Sequence, residues 1–397
     1  MVQRDSWWFE SSIEGMAAEM GIFEDSVATF LEPVKNYLAD DTVTEVLVNG
    51  FNEIFIERRG LLERTDACFL DEQALQAAIR NIAQFVGRRI DAENPTLDAR
   101  LPDGSRIHAV LPPCSRKGTT LSIRKFSKSA PTFMDYIKWG SITKEAARFL
   151  DICVYLSKNV IVSGGTGSGK TSLLNILGSR IPKTQRLLVI EDASELKITA
   201  EHCVFFETKA PDPQGKGGVT IRDLIKSALR LRPDRIIVGE VRDASAMDLV
   251  TAMNTGHGGS MGTTHANTPY DALVRLETLS MMGDSNVPVM AIRRQIAAAI
   301  HLVVQIKRMN DGTRKVTHIS EVVPEVDELG RYKIRDLFQF IQTGRGPDGK
   351  IMGELVPMGI LPSFYEEIEL NRLPFPKEAF QMPAWARQRI EKKPQVA

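Results

Sequence analysis

The sequence predicts an α/β chain in which a small mixed α/β domain precedes a larger, mostly parallel sheet with helices on both faces. Three observations predict it. From about residue 133 short apolar runs alternate with helical runs, the pattern of buried parallel strands joined by crossover helices. Before that point short strands pair around the turn signals Asn49-Gly50 and Asp103-Gly104. A glycine-rich stretch, Gly164 to Thr171 (GGTGSGKT), stands between one of the later strands and one of the later helices.

Composition agrees. The chain has 397 residues, 43% hydrophobic and 25% charged, which is ordinary globular composition and enough length for more than one domain. Lys plus Arg number 50 and Asp plus Glu number 50. That balance excludes a globally basic nucleic-acid coat and an acidic disordered tail, but not a local basic patch. The first ten residues lack the apolar run of a signal peptide, and the longest apolar stretch, Ile296 to Ile306, is too short to span a bilayer. Cys68, Cys114, Cys153 and Cys203 are far apart with no C-x-x-C pair, which argues against a zinc site and suits a reducing cytoplasm.

Four parts are expected. Residues 1–44 read as helical, with Ile13, Met16, Ala17 and Met20, then Val27, Phe30, Leu31 and Val34, at helical spacing; Trp7 and Trp8 read as a docking pair or as cover for the first domain's core. Residues 45–132 read as the mixed domain. It holds strands at 45–48 and 53–57, a helix presenting Leu75, Ile79, Ile82 and Val86, a hairpin over Arg100 to Val110, and a closing strand at 121–126. Ser127 to Thr132 reads as a linker. Residues 133–325 carry the strand–helix alternation. Residues 326–397 read as an extension with a hairpin over Leu337 to Ile360 and a tail broken by Pro374, Pro376, Pro383 and Pro394.

Gly164, Gly165, Thr166, Gly167, Ser168, Gly169, Lys170 and Thr171 fit G-x-x-x-x-G-K-[ST], and the strand before and helix after supply its structural context. Such a loop turns its amides toward phosphate oxygens; Lys170 would reach the β- and γ-phosphates and the Thr171 hydroxyl would hold Mg²⁺. The strand Arg235 to Val238 ends at Gly239-Glu240, and ligands of open α/β sheets bind at such carboxyl ends. Glu240 is therefore the expected base and Mg²⁺-shell carboxylate. Glu191 and Glu195, at the end of Arg186 to Leu196, share metal or water duties, or Asp192 beside them merely caps a turn. Arg230 and Arg232 read as interface arginines or as a solvated helix end. His257 and His265 are eight apart, which is not metal-ligand spacing; they read as phosphate sensors, as links to a neighbouring subunit, or as structural hydrogen-bond partners.

These runs, in this order, resemble the secretion ATPases of the type II/type IV superfamily, relatives of the pilus motors. That family's Walker A loop, Asp box, Walker B ending in Gly-Glu and His box look like Gly164–Thr171, Glu191–Glu195, Ile236–Glu240 and Thr255–His265. The phrases GRRID (87–91), DARLPDGSR (98–106), SIRKF (122–126), RPDRIIVGEVRD (232–243) and MNTGH (253–257) are similar to the CpaF/TadA branch, the ATPases of tight-adherence (Tad/Flp) pili. The resemblance runs from about residue 35 to 345. It implies a RecA-like P-loop ATPase domain behind a PAS-like domain, with ATP as substrate and Mg²⁺ as cofactor. It also implies a cytoplasmic homohexamer docked on an inner-membrane platform protein. Phosphate-contacting arginines of the N-terminal domain match Arg100, Arg106 and Arg124. An extra helical bundle in front is expected to be absent or reduced to residues 1–34, and the zinc module of type II relatives is missing. Ile292 to Ile296 is similar to a phrase of retraction motors, so both directions of pilin movement stay open.

The expected function is thus a pilus-assembly motor, with a conjugation or effector-secretion ATPase and a low-turnover scaffold ring as alternatives. Lys170, Thr171 and Glu240 together favour a hydrolase, since a scaffold has no need of a carboxylate facing the phosphates. A nucleic-acid partner is not expected: Arg116, Lys117, Arg124, Lys125 and Lys128 form a basic run with Phe126 as its one aromatic.

Overall fold

The computed structural model describes residues 29–58, 60–101, 103–125, 130–209, 211, 215–283 and 287–391. The helical repeats expected before residue 29, with Trp7 and Trp8, lie outside the described residues, as do Phe126, Lys128 and Pro394. The chain divides into two compact units, Met1–Ser129 and Ala130–Ala397.

In the first unit a short helix, α1 (Lys35–Ala39), leads into β1 (Val43–Asn49). Strand therefore begins inside the segment expected to be helical. Val43, Val46 and Val48 point inward there, and β-branched side chains suit a strand. Then come β2 (Ile54–Arg58), β3 (Leu61–Arg64), α2 (Glu72–Phe85), β4 (Thr96–Arg100), β5 (Arg106–Val110) and β6 (Thr120–Arg124). The sheet order is β3-β2-β1-β6-β5-β4, with every pair antiparallel. The Asp71 carboxylate caps α2 by accepting the Ala74 amide at 2.7 Å. Leu75, Ile79 and Ile82 of α2 share one apolar core with Val46, Ile56, Ile107 and Ile123, so alternate residues of the strands lie on the sheet's other face. Along one row of that face the register places Arg100 opposite Arg106, Arg106 opposite Arg124, and Arg124 opposite Glu45.

The second unit begins with α3 (Phe133–Lys138) and α4 (Lys144–Tyr155). It continues through β7 (Val160–Ser163), α5 (Lys170–Gly178), β8 (Leu187–Glu191), β9 (Cys203–Glu207), α6 (Ile221–Ala228), β10 (Arg235–Val238) and α7 (Ser245–Asn254). Next are β11 (Met261–Thr264), α8 (Pro269–Met281), α9 (Val289–Ala299), β12 (Leu302–Arg308), β13 (Arg314–Val326), β14 (Tyr332–Arg345) and β15 (Ile351–Pro357). Two short helices, α10 (Tyr365–Leu370) and α11 (Ala384–Glu391), close it. The nine strands run β15-β14-β13-β12-β7-β11-β10-β8-β9. From β12 to β9 every pair is parallel; from β12 to β15 every pair is antiparallel. In β7, Val160 and Val162 join a core with α4 and α5, while Ile161 joins a core with α6 to α9. Burial on both faces is why these strands read as unbroken apolar runs.

Two expectations need correction. The boundary drawn at 325/326 falls at the end of β13, whose partners β14 and β15 continue the same sheet. The broken tail is also core: Phe364, Phe375 and Phe380 pack around Phe149 of α4 with ring centroids 6.2, 5.8 and 5.4 Å away, and Phe338 lies at 5.4 Å. Pro376 and Pro383 stand just before the short helical segments Lys377–Phe380 and Ala384–Glu391, and the aromatic side chains among them still pack.

Candidate active site

β7 ends at Ser163, and the chain reaches α5 through Gly164–Gly169. Two of these glycines are needed for different reasons. A Cβ at Gly164 would stand 2.2 Å from the Ile306 carbonyl oxygen and 2.6 Å from Ser168 Oγ, so no side chain fits. Gly169 has φ +97°, the left-handed region that side chains avoid. Gly165, Thr166 and Gly167 form an exposed crest, and Ser168 is buried with its hydroxyl donating to the Gly165 carbonyl at 2.8 Å. Lys170 opens α5, where unpaired amides and the helix dipole favour an anion. Its ammonium lies over the loop, 3.0 Å from the same carbonyl. Thr171 follows it, half-buried.

The sheet order lines up the carboxyl ends of β7, β11, β10 and β8. His265 follows β11, Glu240 follows β10, and Glu191 ends β8. His265 Nε2 lies 3.0 Å from Glu240 Oε1, and Lys170 Nζ lies 3.4 Å from His265 Nε2 and 3.5 Å from Nδ1. The ammonium is thus nearly equidistant from both ring nitrogens and rests against the ring, while a neutral imidazole donates from Nε2 to Glu240, so the three side chains are in contact. Burial and the Lys170 charge hold His265 below the usual imidazole range, against the pull of Glu240. Arg242 donates to Glu240 Oε2 at 2.8 Å and lies 3.4 Å from Asp192 Oδ2. Burial pushes the Glu240 carboxyl up, but Arg242, His265 and Lys170 outweigh it and leave the group below its ordinary value. Glu240 is thus held ionised between Arg242 and His265, beside Lys170.

Glu191 is of the opposite kind. It is 3% exposed, and its Oε1 accepts the amides of Glu195 and Leu196 at 2.9 and 3.0 Å. Its Oε2 is buried without a hydrogen-bond partner among the described residues. Burial pushes this carboxyl up to about 7. Gly239 makes room for it, since a Cβ there would stand 2.9 Å from Glu191 Cγ. Because the folded chain holds the proton to higher pH than the unfolded chain, this group's contribution to stability falls as pH rises from the ordinary carboxylate range to about 7. Glu191→Gln removes the ionisation. The variant is expected to gain in unfolding midpoint over the wild type at pH 8 and to gain much less at pH 5. Equal shifts at both pH values would show a carboxyl that is not held near neutrality.

Other expected site residues fall elsewhere. Glu195 serves Glu191 through its backbone amide. His257 precedes β11 while His265 follows it, so four strand residues, about 13 Å, separate the two, and His257 lies at the amino end of the sheet. There its carbonyl accepts the Ser260 hydroxyl at 2.7 Å. His257 is therefore not brought to the phosphate loop of its own chain. Arg100, Arg106 and Arg124 stand together in their row in the first unit, where Arg124 Nε donates to Glu45 Oε1 at 2.7 Å. Sequence reasoning did not single out Arg242, although it lies two residues beyond Glu240, a spacing that puts both side chains on one side of an extended chain. It also missed Tyr136, Arg308 and Arg314 around the loop, for which no sequence signal exists.

The sequence matches the family described as Type II/IV secretion system protein over residues 28–336. The chain belongs to this family. A putative conjugal transfer protein of Mycobacterium tuberculosis is 36% identical over 299 residues, 74% of this chain and 84% of that one. The type IV secretion system protein VirB11 of Brucella suis is 34% identical over 325 residues, 75% of this chain and 90% of that one. Among solved structures, the pilus retraction motor PilT with bound ADP has a TM-score of 0.51 at 18% identity, covering 86% of each chain, and speaks for the fold. In both units the layout agrees with the α/β fold expected of this secretion family. The names of these sequence relatives belong to conjugal transfer and type IV secretion rather than to the Tad pili that the phrases suggested. Among the described residues, no helix is long and apolar enough to cross a membrane.

Among the described residues, no three His, Cys, Asp or Glu side chains are grouped to hold a metal by themselves. The donors at the strand ends fit Mg²⁺ in another way: the ion takes one or two protein oxygens and completes its shell with water and substrate phosphates. The Thr171 hydroxyl, Glu240 and the orphaned Glu191 Oε2 are the oxygens available for that.

Proposed function

We propose that the chain is an ATP-hydrolysing motor of a type IV secretion or conjugal transfer machine, working in the cytoplasm as a homohexameric ring docked on inner-membrane platform proteins. The observation that carries this reading is the contact of Lys170, His265 and Glu240. It joins an anion-binding loop to an ionised carboxylate in one site. Lys170 and the loop amides bind and orient the triphosphate. Glu240 takes the proton of the attacking water, and His265 relays the state of the γ-phosphate between acid and lysine. Mg²⁺, held by Thr171 and Glu240, would neutralise developing charge on the phosphate oxygens. The conjugal reading follows the names of the relatives. Assembly of a Tad/Flp pilus is the second reading, favoured by the phrases at 98–106 and 232–243. Deleting the gene in its host separates them. Loss of DNA or protein transfer with surface filaments intact supports the first reading; loss of filaments with transfer intact replaces it by the second.

The arginine row extends the proposal. Arg100, Arg106 and Arg124, which match the phosphate-contacting arginines that the family resemblance implies and stand in one row with Glu45, are proposed to contact phosphate. Arg106→Ala is expected to lower the rate of ATP hydrolysis by roughly 10²–10³-fold, read in a steady-state phosphate-release assay. A wild-type rate would remove the row from the site.

A further inference from the structure

The phosphate loop has two flanks of opposite character. On the side of β11, β10 and β8 stand His265, Glu240 and Glu191. On the other side stands β12 and the hairpin that joins it to β13. Arg308 ends β12, Arg314 begins β13, and the register sets them directly opposite each other. Their position sets two guanidinium groups beside an anion-binding loop. Both reach the loop at Gly167. Arg314 Nε donates to the Gly167 carbonyl at 2.9 Å, and an Arg308 guanidinium nitrogen lies 3.3 Å from where a Gly167 Cβ would stand. Arg314 Cδ lies 3.3 Å from the corresponding point at Gly169. The hairpin that carries them is braced: the Asp311 carboxylate accepts the Thr313 amide and hydroxyl, and it also accepts the Ile351 amide at the start of β15.

The two flanks serve different parts of a nucleotide. Water attacks the γ-phosphate, so the flank with the base faces that group. The cationic flank then faces the phosphates that ATP and ADP share, which the loop amides also cradle. We propose that Arg308 and Arg314 form a second wall of the nucleotide site, contacting the α- and β-phosphates and setting affinity for nucleoside di- and triphosphates alike. This rests on the reading of the loop as an ATP site.

The test is titration of the full-length chain with fluorescent N-methylanthraniloyl ATP and, separately, the matching ADP. Arg308→Ala and Arg314→Ala are each expected to weaken both nucleotides by the same factor, about ten-fold, the worth of one charge-assisted contact. Arg314→Lys keeps charge but loses the planar fork, and should weaken both by a smaller common factor. If Arg314→Ala does not fold, Arg314→Gln, which can still donate to the Gly167 carbonyl, carries the test. Unchanged ADP affinity in the alanine variants, or weakening confined to ATP, would overturn the proposal. A wild-type chain that binds neither nucleotide sinks the ATP-site reading along with it. A wild-type chain that binds both, with variants indistinguishable from it, sinks the arginine wall alone.

Discussion

Glu240→Gln is expected to bind ATP as the wild type does and to hydrolyse it about 10²–10⁴-fold more slowly, the usual worth of a positioned base. The glutamine keeps the length of the side chain, so the loop, Lys170 and the strand ends should hold their places. What it loses is the negative charge that Arg242, His265 and Lys170 together maintain below the ordinary carboxylate range, against the opposing effect of burial. Binding depends mainly on the loop amides and Lys170, which the change does not touch; proton transfer depends on the carboxylate. Fluorescent-nucleotide titration and single-turnover phosphate release read the two separately. A wild-type rate in this variant would transfer the base role to Glu191, whose carboxyl, pushed up to about 7, is also suited to exchanging a proton near neutrality.

Phe149→Ala is expected to destabilise the second unit by about 3–5 kcal/mol, the range for emptying a buried aromatic site. Phe149 is fully buried on α4, and its ring meets Phe338 of β14 as well as Phe364, Phe375 and Phe380 beyond β15. Four of its neighbours thus come from residues more than 180 positions later in the chain, and the cavity would loosen the whole C-terminal extension from the sheet. Denaturant unfolding followed by tryptophan fluorescence measures the effect. A loss below about 1 kcal/mol would mean that the surrounding rings close over the space.

That cluster marks where the sequence stopped being readable. The short strands at 160–163, 235–238 and 261–264 were legible because both faces are buried, which leaves an unbroken apolar run between turn signals. The helix over Pro269–Met281 was legible from its spacing, and Thr268 caps it by accepting the Asp271 amide. β9 was missed because it is an edge strand: Phe205 is exposed and its neighbours are half-buried, so Cys203–Glu207 shows no clear period. Phe375 and Phe380 were missed because they lie outside regular helix and strand periodicity, where spacing carries no information about what a ring touches.

The site divides in the same way. The loop and Glu240 were legible because their positions follow from one rule, that ligands bind at the carboxyl ends of parallel strands. His265 meets that rule and His257 does not, since a whole strand stands between them; reading them as one motif hid the difference. Arg308 and Arg314 are drawn to the loop by hairpin register, which no local pattern reveals.

On this reading the carboxyl edge of the sheet hydrolyses ATP whose phosphates Lys170 holds. The most direct measurement is phosphate release from ATP by the purified chain, with wild type and Lys170→Ala run side by side at equal concentration. Removing the ammonium takes away the contact to the β- and γ-phosphates and the link to His265. The wild type should therefore release phosphate and Lys170→Ala should stay at background. Equal release by the two chains would place the chemistry elsewhere and contradict the account.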